Sequence, residues 1–310
     1  MELNPGGVAA VLLLFGVLAF LHLPAKWRAW RRRRSARREM TRWGATKPTG
    51  PPASAEQLLA FREQAAALVL PSVQLEAAAD EPARPGGTRI GGPAWLAEGE
   101  AWPCGRDGRP MEFLAQVDFG ELPPLPDFPQ AGLLQFFIAR DDLFGADFDD
   151  ASRSDVRLLW RPEAPANGPL HQQLPLDELD SSPFAGNQVR SAGRALRGLP
   201  STRAPAPFSL PVDLLLRAIG IEDAANIDEV EDPYWDGEEP PSQFIGGHPR
   251  FIQADFRRPG FLEDYDRVLL QLESQNGLLW GDCGWAVFMI RRADLLARDF
   301  SRPAFYWDCS

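Results

Sequence analysis

Few residues in this chain have types and spacings suited to chemistry. Gln116 and Gln271 are each followed two residues on by an acid, Asp118 and Glu273. Side chains two apart in a strand face the same way, so each pair would put an amide and a carboxylate on one face. Such a face suits a polar ligand. A buried glutamine equally satisfies loop backbone, and the sequence leaves both roles open. Cys283 lies in Gly281-Asp282-Cys283-Gly284. A thiol nucleophile needs a base or a positive environment, and Asp282 works against that, so Cys283 reads as a turn residue. His248 follows Gly246-Gly247, and no Cys or His stands near it at metal-ligand spacing, so it reads as a loop histidine. Paired glycines, 91–92 and 246–247, can present N–H groups to an anion, but more simply they allow positive φ in a turn. Residues 222–239 hold nine acids and no base. They lack the spaced aspartates of a calcium loop and read as a solvated loop, with Tyr234 and Trp235 as the hint of a contact surface. Phosphate-loop, dinucleotide, zinc-protease and serine-hydrolase signatures are absent. The sequence therefore assigns no catalytic residue, no metal and no cofactor.

The elements that would position these residues follow from hydrophobic period. Ser54 with Gln57 three residues on forms a capping box for a helix that Pro71 would end. Phe113, Ala115, Val117 and Phe119 alternate with Leu114, Gln116 and Asp118, the period of a strand. Leu133 to Ile138 is a continuous apolar run, and Asp155 to Trp160 reads as a third strand. Residues 76–89 read as loop, and the Pro-rich stretch 161–210 as irregular. Val212 to Ile219 reads as a short helix with Pro211 near its first turn. Val268 to Leu272 and Trp285 to Ile290 read as strands, and Ala293 to Arg298 as a helix.

Two distant stretches share one pattern. From Gly91 to Gln116 is 25 residues, and so is the distance from Gly246 to Gln271. Gly132, Phe136, Ile138, Arg140, Asp142, Leu143, Asp147 and Phe148 match Gly284, Phe288, Ile290, Arg292, Asp294, Leu295, Asp299 and Phe300, each pair 152 residues apart. That distance is too long for a solenoid repeat. It predicts pseudo-repeats at about 88–148 and 243–300 that share one core. A crevice between such halves is a natural ligand site, with Gln116, Asp118, Gln271 and Glu273 expected nearest to it.

Pro5 to Leu23 is 19 residues without a charge. As a helix it would span roughly 28 Å, about the hydrocarbon thickness of a bilayer. Nothing basic precedes it, whereas residues 26–43 hold nine bases and one acid. That order is the reverse of a cleaved signal peptide and marks the following side as cytoplasmic. Residues 24–53 then form a basic juxtamembrane segment and linker lying on anionic headgroups. The net charge of −11 hides a split, because residues 44–310 carry −18. An acidic body argues against nucleic acid as a partner. Three cysteines without C-x-x-C spacing suit a reducing compartment.

Four stretches carry a family resemblance: FLAQVDFGELP (113–123), GLLQFFIARDDLFGADF (132–148), IGGHPRFIQ (245–253) and GDCGWAVFMIRRADLLARDFSRPAFYWDCS (281–310). Together they resemble the YwqG-like family of bacterial proteins, a domain of unknown function, over roughly residues 55–310. The resemblance implies an α+β fold with largely antiparallel sheet, and it implies no established reaction, cofactor or catalytic set. This chain departs from the usual soluble members by its apolar N-terminal segment. The expectation is a single-pass membrane protein, N-terminus outside, with residues 54–310 as a cytoplasmic binding or interaction domain. Its expected partners are membrane lipid and, through the domain, another protein. The alternative is a hydrolase-like enzyme using the cleft between the halves.

Overall fold

A computed structural model describes residues 50–78, 84–165, 168–206, 209–225 and 243–309. The apolar segment 5–23, the basic run behind it and most of the acidic stretch lie outside the described residues. Among the described residues no helix is long and apolar enough to cross a membrane. Residues 50–53 and 223–225 belong to a separate small unit, joined by the Gly50 N–H donating to the Asp223 carbonyl. The other described residues belong to the unit formed by residues 54–222 and 240–310.

Helix α1, Ala55–Ala67, starts as the capping box predicts: Ser54 Oγ accepts from the Gln57 N–H, and Gln57 Oε1 accepts from the Ser54 N–H. It ends at Leu68, before Pro71, because Pro71 already belongs to strand β1, Leu70–Ala77. The strands β2 (Arg89–Ile90), β3 (Ala94–Trp95), β4 (Glu112–Asp118), β5 (Leu133–Ile138), β6 (Val156–Arg161) and β7 (Leu170–His171) follow. Next come helix α2 (Asn187–Ala192), strand β8 (Arg194–Arg203) and helix α3 (Leu210–Ile219). The chain closes with β9 (Phe244–Gly246), β10 (Arg267–Glu273), β11 (Trp285–Ile290), helix α4 (Arg292–Ala297) and β12 (Ala304–Asp308). Two expectations are corrected here. Residues 70–77 are a strand, and 161–210 contain a two-residue strand, a helix and the ten-residue β8. Pro71, Gly198 and Pro200 hide these strands, since proline and glycine both weaken a strand reading.

Ten strands form one sheet in the order β12-β11-β10-β9-β1-β8-β2-β4-β5-β6, and β3 pairs with β7 separately. Every pairing between these strands is antiparallel, so the expectation of a mostly antiparallel sheet with few helices holds. The order reads the same outward from its centre. Gln116 opposes Gln135 and Gln271 opposes Val287, partners 155 and 152 residues on. The bulge between Phe113 and Ala115 recurs between Val268 and Leu270. Arg161 opposes Leu133 as Asp308 opposes Trp285. At the centre β1 pairs with β8, and each then joins the far side: β1 pairs with β9, and β8 with β2.

One apolar face carries the core. Leu134, Phe136 and Ile138 of β5 pack in the same buried cluster as Ala286, Phe288 and Ile290 of β11. Phe136 and Phe288 meet with ring centroids 5.0 Å apart. Burying each such ring contributes roughly 2–3 kcal/mol. The opposite face carries two smaller clusters, one with Phe113 and Phe137, the other with Val268 and Met289. A Cβ on Gly132 would collide with the Arg161 carbonyl and the Trp160 ring, and one on Gly284 with the Asp308 carbonyl. Glycine is thus required where each inner hairpin strand begins beneath an outer strand.

Candidate functional site

The glutamines occupy equivalent register positions on the side of the sheet away from the shared core. Both are buried. Gln116 Nε2 donates to the carbonyls of Pro85 and Gly87, both at 2.8 Å. Gln271 Oε1 accepts from the Arg250 N–H and its Nε2 donates to the Arg250 carbonyl, both at 2.9 Å. Each amide therefore ties a loop to a strand. Asp118 Oδ1 accepts from the Gly120 N–H and caps the 3-10 turn Phe119–Glu121; burial raises its pKa. Glu273 ends β10, half-buried opposite Trp285.

The other candidates are also held by backbone. His248 Nε2 lies 2.6 Å from the Leu68 carbonyl, which makes it the protonated nitrogen of a neutral ring. Burial pushes the pKa of His248 down to about 4, against the bond to Leu68, and the Arg257, Arg203 and Arg267 charges lower it further. The two glycine pairs all take positive φ, between 63° and 78°. Cys283 is exposed, with φ 149°, in the turn that leads to β11. All three cysteines are free thiols. Asp308 was not singled out by the sequence. Its Oδ2 accepts from the N–H groups of Ile252 and Gln253, both at 2.8 Å, and burial raises its pKa to about 7 against those two bonds.

The sheet curls until its outer strands approach. Ser154, just before β6, donates its hydroxyl to the Phe305 carbonyl of β12 at 2.8 Å, and the Trp160 and Phe300 rings sit 5.1 Å apart. Beside this contact is a cavity of about 130 Å³. One edge supplies Ser154, Asp155, Val156 and Arg157, and the other supplies Ser301, Arg302 and Pro303. Ser301, Arg302 and Pro303 each follow Ser154, Asp155 and Val156 by 147 residues, the offset that also relates β12 to β6. Arg106 and Ser152 complete the wall. Asp155 Oδ2 accepts from the Arg106 N–H at 2.8 Å, and Arg106 Nη2 donates to the Ser154 carbonyl at 3.3 Å, fixing that loop to the edge. Arg302 Nη2 bonds Asp294 Oδ1 at 2.9 Å. A crevice between the two sides thus exists, but Gln116, Asp118, Gln271 and Glu273 do not line it. The sequence offered a weak signal for its true walls: Ser-x-x-Arg at 154–157 and Ser-Arg at 301–302 both sit directly beside an outer strand. Among the described residues no three His, Cys, Asp or Glu side chains are grouped to hold a metal ion.

A family model described as a domain of unknown function, DUF1963, matches residues 88–309. The chain belongs to the DUF1963 family. No curated protein matches the sequence. The DUF1963 match begins at the entrance to β2 and runs through β12, so it contains the seam cavity and both glutamines. It excludes α1 and β1, although β1 lies in the middle of the sheet that the matched residues build.

Proposed function

We propose that this DUF1963 chain is a binding module of the YwqG-like type, made of two duplicated halves and tethered to the cytoplasmic face of a membrane. The observation that supports it is the seam cavity. Residues at matching positions of the two halves line one polar recess, which is where a ligand can touch both. The hydrolase-like alternative has less to draw on. His248 and Asp308, the imidazole and carboxylate that burial holds toward their neutral forms, do not line the recess and are bound to backbone. The glutamines would then act as loop staples, each within its own half.

Two experiments test this reading. The full chain in detergent is heated with a panel of anionic, neutral and cationic metabolites. At least one should raise the melting temperature, since a ligand that binds only the folded state stabilises it by mass action. Ser301→Trp, which plugs the recess from an exposed position, should remove that shift. A panel without effect, or a shift indifferent to the plug, rejects the recess as the site. The tether is tested by fusing reporters after Ser310. A cytoplasm-dependent reporter should be active there, and activity of a periplasm-dependent one would reverse the orientation.

A further inference from the structure

We infer that the seam cavity takes a phosphate-type oxyanion, as free phosphate or as the phosphate of a larger molecule; this rests on the binding reading above. The wall carries three arginines, Arg106, Arg157 and Arg302, against a single carboxylate, Asp155. Arg106 meets Asp155 and Arg302 meets Asp294 and Asp299, so among the described residues the unpaired charge on the wall is that of Arg157, in a body whose residues 44–310 carry −18. Against that background a local positive recess selects for an anion and turns away a metal ion.

Geometry narrows the class. The three arginines come from three separate places in the chain: the loop before β4, the edge strand β6, and the turn before β12. Arg157 is exposed and forms no ion pair among the described residues. Arg106 and Arg302 keep long, mostly exposed side chains, at 63% and 61%. Each is partly engaged, Arg106 with Asp155 at 4.0 Å and Arg302 with Asp294 at 2.9 Å and Asp299 at 3.8 Å. A guanidinium has five donors in a planar fork, so these contacts leave donors to spare. Two forks saturate a carboxylate, whereas three suit the larger set of oxygens on a phosphate. The serine hydroxyls donate elsewhere: Ser154 to Phe305, Ser152 to Asp150 and Ser301 to Asp299. The attraction therefore comes from the arginines, aided by outer strands whose far edges have no partner in the sheet.

Size sets the other limit. A cavity of about 130 Å³ has room for about four waters at roughly 30 Å³ each. Sites that enclose a drug-sized ligand run to roughly 300–1,000 Å³. The recess therefore holds an anionic group, and the remainder of any larger ligand stays outside.

The test uses the full chain in detergent, titrated with inorganic phosphate against sodium chloride at constant ionic strength. The melting temperature should rise and saturate with phosphate. Arg157→Ala and Arg302→Ala, one from each half, should each weaken the apparent affinity about tenfold or more, the worth of a lost charge-assisted bond. Arg153→Ala should change nothing, because Arg153 pairs with Asp147 and Asp150 and does not line the recess. Arg157→Lys should restore binding in part, keeping the charge without the fork. Phosphatidylcholine nanodiscs with and without phosphatidic acid separate the sources: an Arg157-dependent shift there assigns a lipid phosphate, and a shift with inorganic phosphate alone assigns a soluble one. No saturable response in either setting, or an equal response in Arg157→Ala, overturns the inference. If a neutral or cationic compound instead acts through the Ser301→Trp-sensitive recess, the anion fails and the binding reading stands. If no compound does, both fail.

Discussion

Glu112→Gln should destabilise the domain by roughly 3–5 kcal/mol, the cost of stripping one partner from a buried ion cluster. Glu112 is fully buried at the start of β4. Arg190 Nη2 donates to its Oε2 at 2.9 Å, and Ser182 Oγ donates to its Oε1 at 3.1 Å. Arg140 Nε lies 3.1 Å from Oε2, an ion contact off the hydrogen-bond direction. Removing the charge takes away the carboxylate that Arg190 pairs with and leaves Arg140 with Asp180, 3.5 Å away. The mirrored position across the sheet is Arg267, where the arrangement is inverted. There Arg267 and Arg292 converge on Asp127, at 3.0 and 2.8 Å. Arg292 there is half exposed and Asp127 keeps Arg267, so Arg292→Gln should be nearly silent. Urea midpoints of the two variants, with an unchanged slope, check the contrast. A silent Glu112→Gln would mean that the guanidinium groups find water once the carboxylate is gone.

Asp308→Asn should stabilise the domain above neutral pH and leave it unchanged near pH 4. Burial raises the folded pKa of Asp308 to about 7 from 3.8. Its contribution is therefore fully present below 3.8 and lost as pH rises through 7. Asparagine resembles the protonated acid, and its oxygen can accept from both Ile252 and Gln253. The gain at pH 8 has a ceiling of roughly 4 kcal/mol, from about three pKa units at 1.36 kcal/mol each. His248 slopes the other way. Its folded pKa is depressed to about 4 from 6.5, so its contribution is present above 6.5 and lost as pH falls through 4. The two nearly cancel in the wild type between pH 4 and 6.5. In Asp308→Asn the His248 slope stands alone, and stability should climb from pH 4 to 6.5. Melting temperatures across pH 4–8 read both effects. A variant less stable than wild type at pH 8 would show that the two amide donors outweigh burial and keep Asp308 ionised.

Much of the architecture could be read from local pattern. The Ser54–Gln57 box marks the start of α1, and Leu133–Ile138 and Trp285–Ile290 are strands with the expected bounds. These signals are short-range, set by one cap or one apolar run. The centre of the sheet was not legible. β1 and β8 carry Pro71, Gly198 and Pro200, and they find their partners across the whole chain. Gly198 is forced by crowding, since a Cβ there would meet Leu122, Val73 and Pro123. The recess was missed for a different reason. The offset is 155 from β4 to β10, 152 from β5 to β11 and 147 from β6 to β12, because the intervening loops differ in length. Equal spacing from the glycine pairs finds Gln116 and Gln271, and the 152-residue register finds the later blocks, but neither reaches Ser154, Ser301 and Arg302. Glutamines in strands also attract a functional reading, whereas exposed arginines on an edge look like ordinary surface.

The exchange of β1 and β8 at the middle of the sheet has a consequence for biosynthesis. When β1 leaves the ribosome, neither of its neighbours exists: β8 begins at Arg194 and β9 at Phe244. At about 5–20 residues per second, the strand waits roughly 10–35 s for Gly246 to be translated. In that interval β2, β4, β5 and β6 can form a hairpin array, but its inner edge at β2 stays open until β8 arrives. The nascent chain therefore carries an unpaired strand and an unpaired edge that must avoid each other's counterparts on neighbouring polysomes. The final hydrogen bonds of the central pair close only after translation is nearly complete.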